Sequence, residues 1–284
     1  MENSSLAGTV ENFAAAVGDF SDADLDRPWD WQDYQEGIRF AFFRTYEQLC
    51  TLAARLEAEC GASVIHPFTA AQRILGQYHT AYRDLQAVLL GVTDELADQV
   101  PAEDEWTVRK ILAHVVQAER GFFTVNSLGL ERHRLGNPEP IEINEEVWNS
   151  FWADAPFTEL SEHGSFSEIQ AYHARLHPRI LRAYAVVSGD ELRLPIKYWE
   201  SSPMPLEFRL HRFGSHLRQH TIQIEKTLSL LGRSPSEAKR LLRLIYAALA
   251  AVESVNIGHE GFGLERQNII AAEIEHIQAQ VAKG

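Results

Sequence analysis

The sequence predicts an all-α fold, a four-helix bundle with one long crossover connection and further helices at both ends. Apolar residues recur three and four positions apart through most of the 284 residues, which is the period of a helix that buries one face. No run of residues alternates between apolar and polar between turn signals, as a half-buried strand would. Hydrophobic residues make up 45% of the chain, so we expect a sizeable buried core.

The first predicted helices are bounded by prolines and by a capping threonine. We expect helices at 34–59, 70–96 and 107–123. The turn-forming pair Arg27-Pro28 precedes the first helix, and His66-Pro67 separates it from the second, because the residue before a proline avoids the helical conformation. Thr107 is suited to cap the third helix, since its hydroxyl can accept a hydrogen bond from a backbone N–H of the first turn.

A long irregular connection divides the second half of the chain. Residues 136–157 contain three prolines and many acidic residues, so we expect the crossover connection there. Ser167 is expected to cap a helix that reaches residue 187 and that Pro178 kinks. Gly232, with Pro235 just beyond it, marks the end of the following helix. The helices predicted in this half are 167–187, 205–231, 235–256 and 264–282, with a glycine-rich hinge at 258–263 between the last two.

The charge of the chain argues against nucleic acid and anionic membranes as partners. Acidic residues outnumber basic residues 40 to 26, for a net charge of −14, and no Lys/Arg-rich stripe offsets the repulsion of phosphate groups. The first residues lack the basic and apolar regions of a secretory signal. The most apolar stretch, 241–255, is interrupted by Arg243 and Glu253 and is too short to span a bilayer. We therefore expect a soluble, cytoplasmic protein.

The two cysteines, Cys50 and Cys60, are too few for a disulfide framework. They lie ten positions apart in or near one predicted helix, so they are expected to point in different directions. We interpret them as unpaired structural thiols.

Two of the twelve histidines share one face of a predicted helix. His216 and His220 lie four positions apart, which returns the second side chain to within about 40° of the first, one turn along the helix. Phe213 and Ile224 extend this stripe, so it should face the core. Burying two imidazoles without partners is costly, whereas a shared metal ion would lie about 2.0–2.1 Å from each nitrogen. The spacing therefore predicts two ligands of one metal ion.

A third ligand has to come from another helix, and His114 is the best candidate. It shares a helix face with Ile111 and Ala118, so it should also point inward. Three neutral imidazoles leave a coordination position for water or substrate. This arrangement favours a catalytic site over a purely structural one.

Other histidines are interpreted as residues that do not bind the metal. His173 and His177 repeat the four-residue spacing, but Pro178 follows at once and neighbouring arginines indicate a solvated face. His79 has tyrosine neighbours and is expected at the edge of the core. His211 lies about 140° round the helix from the predicted pair and should face elsewhere. The sequence leaves open whether His173 and His177 have a function.

Residues 70–235 resemble the DinB/YfiT-like family of metal-binding four-helix bundles. The family pattern is a tryptophan, a helix with one histidine, and a later helix with H-x-x-x-H, Gln-Ile and a closing Leu-Gly. The chain matches it at Trp106, His114, His216, His220, Gln223-Ile224 and Leu231-Gly232. The resemblance implies that His114, His216 and His220 bind one divalent metal ion, with zinc ranked first and nickel or iron as alternatives.

The resemblance also implies a domain organisation. A DinB-like bundle is expected at 69–235, flanked by helical extensions at 1–68 and 236–284 that pack on the bundle or on a second subunit, which is compatible with a homodimer. Two positions depart from the family pattern. Leu217 replaces the acidic residue that often follows the first histidine of the pair, and Gln219 replaces a histidine or small polar residue. These departures leave the ligands intact but supply no catalytic group from that turn.

The resemblance leads to one leading hypothesis and two alternatives. Characterised relatives use low-molecular-weight thiols such as mycothiol or bacillithiol, so the leading hypothesis is a metal-dependent enzyme of the S-transferase type that acts on a small molecule. One alternative is a hydrolase that uses a metal-bound water, and the other is a non-catalytic metal-binding bundle of the stress response. No catalytic residue is assigned.

The sequence places no acid or base beside the predicted metal. Glu119 and Glu225 each lie five residues beyond a predicted ligand, and we expect them to be solvated or salt-bridged. The residue after the first histidine of each pair is Leu217 or Ala174, so the glutamate of a zincin is missing. We find no Glu-x-x-His pair on facing helices, which excludes a carboxylate di-iron bundle.

Overall fold

A computed structural model describes residues 5–63, 68–137, 142–197 and 202–283, and within them it confirms the all-α prediction. The helices are α1 (Leu6–Val17), α2 (Asp22–Leu25), α3 (Arg39–Ala62), α4 (Ala70–Val88), α5 (Asp94–Ala97), α6 (Val108–Arg134), α7 (Glu145–Phe151), α8 (Thr158–His163), α9 (Phe166–Tyr184), α10 (Leu206–Leu230), α11 (Glu237–Val255) and α12 (Leu264–Val281). Two short antiparallel hairpins pair β1 (Pro28–Trp31) with β2 (Tyr34–Gly37) and β3 (Pro195–Ile196) with β4 (Met204–Pro205). None of the helices described combines the length and the apolar character that crossing a bilayer requires.

The chain divides into two compact units. The first unit consists of the described residues of 1–68, 83–91 and 233–284, and the second consists of those of 69–82 and 92–232. Helix α4 therefore contributes its N-terminal part to the second unit and its C-terminal part to the first. The organisation into a bundle with two extensions packed on it stays a prediction.

The second unit is built on four long helices, namely the N-terminal part of α4 and helices α6, α9 and α10. Helices α6 and α10 run antiparallel: Thr227 donates to the carbonyl of Trp106 at 3.3 Å, and the rings of Phe122 and Phe213 meet further along at 5.6 Å. Residues 135–165 connect α6 to α9 and carry α7 and α8. This is the predicted four-helix bundle with its long crossover.

The first unit contains α1, α3, α11 and α12 around a separate apolar core. Among its fully buried residues are Phe13, Leu49, Leu249 and Ile274, one from each helix. Arg83, whose side chain is 7% exposed, donates to Glu253 at 2.5 and 2.7 Å and to Glu11 at 3.0 Å. A buried guanidinium with two carboxylate partners is a satisfied structural ion pair.

The N-terminal region differs most from the sequence prediction. The helix expected at 34–59 begins only at Arg39, because residues 34–37 pair with residues 28–31 in the β1–β2 hairpin. Gln32, in the turn between the strands, has a φ of 53°. Helix α1 was not predicted, although Ser5 caps it by accepting from the N–H of Gly8. The predicted break at His66-Pro67 lies outside the described residues.

Three further predicted helix boundaries are wrong. The helix expected at 70–96 ends at Val88, and Gly91, with a φ of 73°, precedes the separate short helix α5. Helix α6 continues eleven residues past the predicted end at 123. Helix α9 is capped by Ser165 rather than Ser167, because Ser165 and Glu168 form a reciprocal capping box.

Other sequence predictions are confirmed. Thr107 caps α6 by accepting from the N–H of Lys110. Helix α10 matches its predicted bounds to within one residue at each end, and Gly232 has a φ of 72° beyond it. The connection predicted to be irregular does contain the short helix α7, capped by Asn144. Among the described residues, neither Cys50 nor Cys60 forms a disulfide bond.

Candidate metal centre

Three histidines of the second unit converge between α6 and α10. One side-chain nitrogen from each of His114, His216 and His220 lies within 4.8 Å of the other two, so the three side chains form a group that could hold a single ion. His114 comes from α6, and the other two come from consecutive turns of α10. Their ring centroids are 4.4 to 5.2 Å apart. The three predicted residues are therefore brought together and could hold a metal ion.

The burial of the three rings is graded. His216 is 9% exposed and His220 is 6% exposed, whereas His114 is half-buried. The pKa of His216 is lowered to about 3, mainly because the ring is buried and also because His220 and His114 lie beside it. Burial and His220 also lower the pKa of His114. Both imidazoles are therefore neutral at physiological pH, which is the form that binds a metal.

Hydrogen bonds orient the ring of His220. Its Nδ1 lies 2.8 Å from Oε1 of Gln223, one turn along α10. Because an amide oxygen can only accept, Nδ1 carries the proton and Nε2 presents its lone pair. That Nε2 lies 3.1 Å from Nε2 of His216, so the two nitrogens that face each other are those a metal would need.

The state of His216 also fits a metal ligand. Its Nδ1 is buried and has no hydrogen-bond partner among the described residues. Without metal, the proton of His216 can lie on Nε2 and bond to the lone pair of His220. With metal, the proton would move to Nδ1 and free Nε2 as a ligand. The chemistry of the donor set therefore fits a divalent ion.

Aromatic rings surround the three histidines. The indole of Trp106 meets the ring of His114 edge-on at 5.3 Å, and the ring of Phe122 meets that of His216 at 5.5 Å. Trp106 is held in place through its carbonyl, which accepts from Thr227 on α10. Apolar ring surface thus lies against His114 and His216.

Gln223 is expected to strengthen metal binding through His220. In Gln223→Ala we expect metal affinity to fall by about 10- to 100-fold, because His220 loses the acceptor that fixes its tautomer and orientation. Gln223→Glu should retain the affinity, since a carboxylate also accepts from Nδ1. Competition with a chromophoric chelator measures the constants. The control is Gln219→Ala, an exposed position of the same helix, and an equal loss in that variant would contradict the role of Gln223.

The second histidine pair lies in the core, so the predicted solvated face is wrong. His173 is 3% exposed and His177 is 2% exposed. The two residues follow the apolar stripe of α9 that includes Ile169 and Ile180, and Pro178 lies within this helix without ending it. The nearby arginines, which suggested exposure, therefore did not determine which face of α9 is buried.

Each of these two histidines has a buried polar partner. His173 Nε2 lies 3.0 Å from Oε2 of Glu119, and His177 Nε2 lies 2.9 Å from Nδ1 of His79. The ring of Tyr82 stacks on His177 at 3.8 Å and meets His173 edge-on at 5.1 Å. We call His79, Glu119, His173 and His177 the core polar cluster. It is distinct from the three-histidine group at the candidate metal centre.

Glu119 is fully buried, at 0% exposure. Of the two states expected from the sequence, solvated or paired, the structure shows the paired one. Burial and the Glu119 carboxylate raise the pKa of Tyr78 well above its usual value, so the tyrosine stays neutral. Glu119 is thus engaged by a histidine and faces a tyrosine.

The remaining residues singled out from the sequence take the places expected or lie off the site. His79 is buried at 6% exposure, and His211 is exposed on a different face of α10. Glu225 is half-buried. The sequence motif contains Gln223 three residues after His220, which is a spacing that allows this hydrogen bond.

Comparison with known proteins supports the assignment of the second unit. A sequence model described as the DinB superfamily matches residues 77–224, which is just over half of the chain and includes all three convergent histidines. Searches among curated proteins and among solved structures returned no match. The chain is a member of the DinB superfamily.

Proposed function

We propose that the chain is a metal-dependent enzyme that acts with a low-molecular-weight thiol, with His114, His216 and His220 as the metal ligands. The observation that carries the proposal is the convergence of three imidazole nitrogens within 4.8 Å. Among the described residues no carboxylate or cysteine joins this group. Three neutral ligands would not offset the charge of a divalent ion. They would also leave at least one coordination position open to a substrate.

The residues of the chain prepare this site in distinct ways. Gln223 fixes the tautomer of His220, and burial keeps His216 neutral. Trp106 and Phe122 line the ligands with apolar surface. A bound divalent ion would supply Lewis acidity and would lower the pKa of a thiol at the open position. Three imidazoles suit zinc, which we rank first, and also nickel and iron.

The hydrolase alternative lacks a supporting observation. It needs a base that can reach water at the metal. Glu119, the acid considered from the sequence, is completely buried and is engaged by His173. A thiol-dependent enzyme needs no such base, because the bound ion would itself lower the pKa of the thiol and so provide the thiolate at neutral pH.

The test is a titration of cobalt-loaded protein with thiols, followed by visible and near-ultraviolet absorption. We expect a sulfur-to-cobalt charge-transfer band that saturates with thiol, and turnover when an electrophile is added. His211→Ala, on the exposed face of α10, is the matched control and should behave as the wild type. If protein that has bound cobalt shows no spectral response to any thiol and no turnover, the proposal is contradicted.

A further inference from the structure

The β1–β2 hairpin of the first unit carries two aromatic side chains on one face, at its turn end. Trp31 lies directly opposite Tyr34 across the hairpin, and Trp29 lies opposite Glu36. Residues opposite each other in antiparallel strands, and residues two apart in one strand, point to the same side, so these four side chains share a face. Trp29 is 3% exposed, whereas Tyr34 is 60% exposed. This face is therefore buried in the core at one end and open to solvent at the turn.

The ring of Trp31 is held in place by its buried neighbour. It stacks on the indole of Trp29 with a centroid distance of 5.4 Å and an angle of 18° between the planes. Trp31 is half-buried and, with Tyr34 and the turn residue Gln32, lines a cavity of about 430 Å³. Cavities that bind small molecules usually measure about 300–1,000 Å³. The hairpin thus provides one mainly aromatic wall of a cavity large enough for a small ligand.

The other wall of this cavity is a polar stripe of α3. It consists of Arg44, Glu47, Gln48 and Thr51. Their spacing of three and four residues places them on one face of the helix. A polar stripe that packed directly on two aromatic rings would lose its contacts with water. A ligand with one apolar and one polar side would satisfy both walls.

The charges on the polar stripe balance each other. Arg44 donates to Glu47 at 2.6 Å, and Cζ of Arg44 lies 4.5 Å from the ring centroid of Phe40. The buried Nε of Arg44 has no hydrogen-bond acceptor among the described residues. The amide of Gln48 and the hydroxyl of Thr51 can each donate and accept. The stripe therefore offers donors and acceptors without an unpaired charge.

We propose that this cavity binds a neutral sugar in its pyranose form. The C–H groups on one side of the ring would lie against Trp31 and Tyr34, whose ring faces carry negative partial charge. The hydroxyl groups, which both donate and accept, would bond to the stripe of α3. A planar base would use the aromatic wall and leave most of the polar wall unused. This inference does not rest on the proposed function, because the three histidines of the candidate metal centre belong to the second unit.

Saturation-transfer NMR on the full chain tests the proposal. The probes are methyl β-D-glucopyranoside, methyl β-D-galactopyranoside and methyl α-D-mannopyranoside, with sorbitol and uracil for comparison. We expect at least one glycoside to bind with a dissociation constant of about 1 mM, as is usual for a ligand of this size. The strongest signals should come from its ring C–H protons. Sorbitol has similar hydroxyl groups but no ring, so it should bind at least about tenfold more weakly.

Three variants and a matched control assign the binding to the two walls. Tyr34→Ala should weaken glycoside binding by about fivefold or more, and Tyr34→Phe, which keeps the ring, should retain most of the affinity. Gln48→Ala removes hydrogen bonds from the polar wall and should weaken binding by about threefold or more. Phe43→Ala removes an exposed ring of α3 that does not line the cavity and should bind as the wild type. Circular dichroism establishes that each variant is folded.

Several outcomes would overturn the inference. The absence of saturation transfer to all three glycosides would do so, as would an unchanged affinity in both Tyr34→Ala and Gln48→Ala. Equal losses in Tyr34→Ala and Phe43→Ala would place the binding elsewhere. Sorbitol that binds as tightly as the glycosides would exclude stacking of a sugar ring. Binding of uracil but of no glycoside would show that the cavity accepts planar rings instead.

Discussion

Glu119→Ala is expected to lower the free energy of unfolding by about 3–5 kcal/mol, which is the usual cost of removing one member of a buried polar pair. Glu119 is inaccessible to solvent and His173 is 3% exposed, so neither can turn to water when its partner is lost. The variant strands the imidazole of His173 and also opens a cavity in the core of the second unit.

Denaturant unfolding followed by circular dichroism measures this effect. Glu131→Ala, an exposed position of the same helix, is the control and should change stability by no more than about 0.5 kcal/mol. A double-mutant cycle isolates the pair, since His173→Leu should cost less in a Glu119→Leu background than in the wild type. If Glu119→Ala is as stable as Glu131→Ala, the pair does not contribute to holding the core together.

The convergence of the three histidines could largely be predicted from sequence because most of its information is local. His216 and His220 are candidate ligands from consecutive turns of one helix, and the apolar residues on the same stripe indicate which way they point. His114 needed its own helix face and the family resemblance, because no spacing rule links it to α10. Gln223 could also have been found, since it stands one turn after His220 and glutamine can accept from an imidazole.

The core polar cluster could not be predicted in the same way. His173 and His177 have the same spacing as the candidate ligands, but their partners, Glu119 and His79, come from two other helices. Only the packing of α4, α6 and α9 brings these side chains together. The arginines beside them suggested exposure, yet they lie on the other faces of α9.

The N-terminal region shows two different kinds of error. The pattern of α1 is present in the sequence, with Leu6, Val10, Phe13 and Val17 at helical spacing after a capping serine, so this helix was predictable. The β1–β2 hairpin was not predictable from its short strands, because four residues give too little alternation to distinguish a strand from a loop.

His216→Ala is expected to lower metal affinity by about 100-fold or more, because one of three protein ligands is lost. The lost imidazole is buried, so the remaining pair, His114 and His220, cannot replace it by a small shift. The exposed His211 lies on the same helix and provides the matched control, since His211→Ala removes an imidazole without touching the site.

Elemental analysis of purified, metal-reconstituted wild type, His216→Ala and His211→Ala tests the central claim most directly. We predict about one divalent ion per chain in the wild type and in His211→Ala, and none retained by His216→Ala after dialysis. Wild-type protein that holds no metal after reconstitution, or a His216→Ala variant that holds as much as the wild type, would contradict the assignment of His114, His216 and His220 as a metal site.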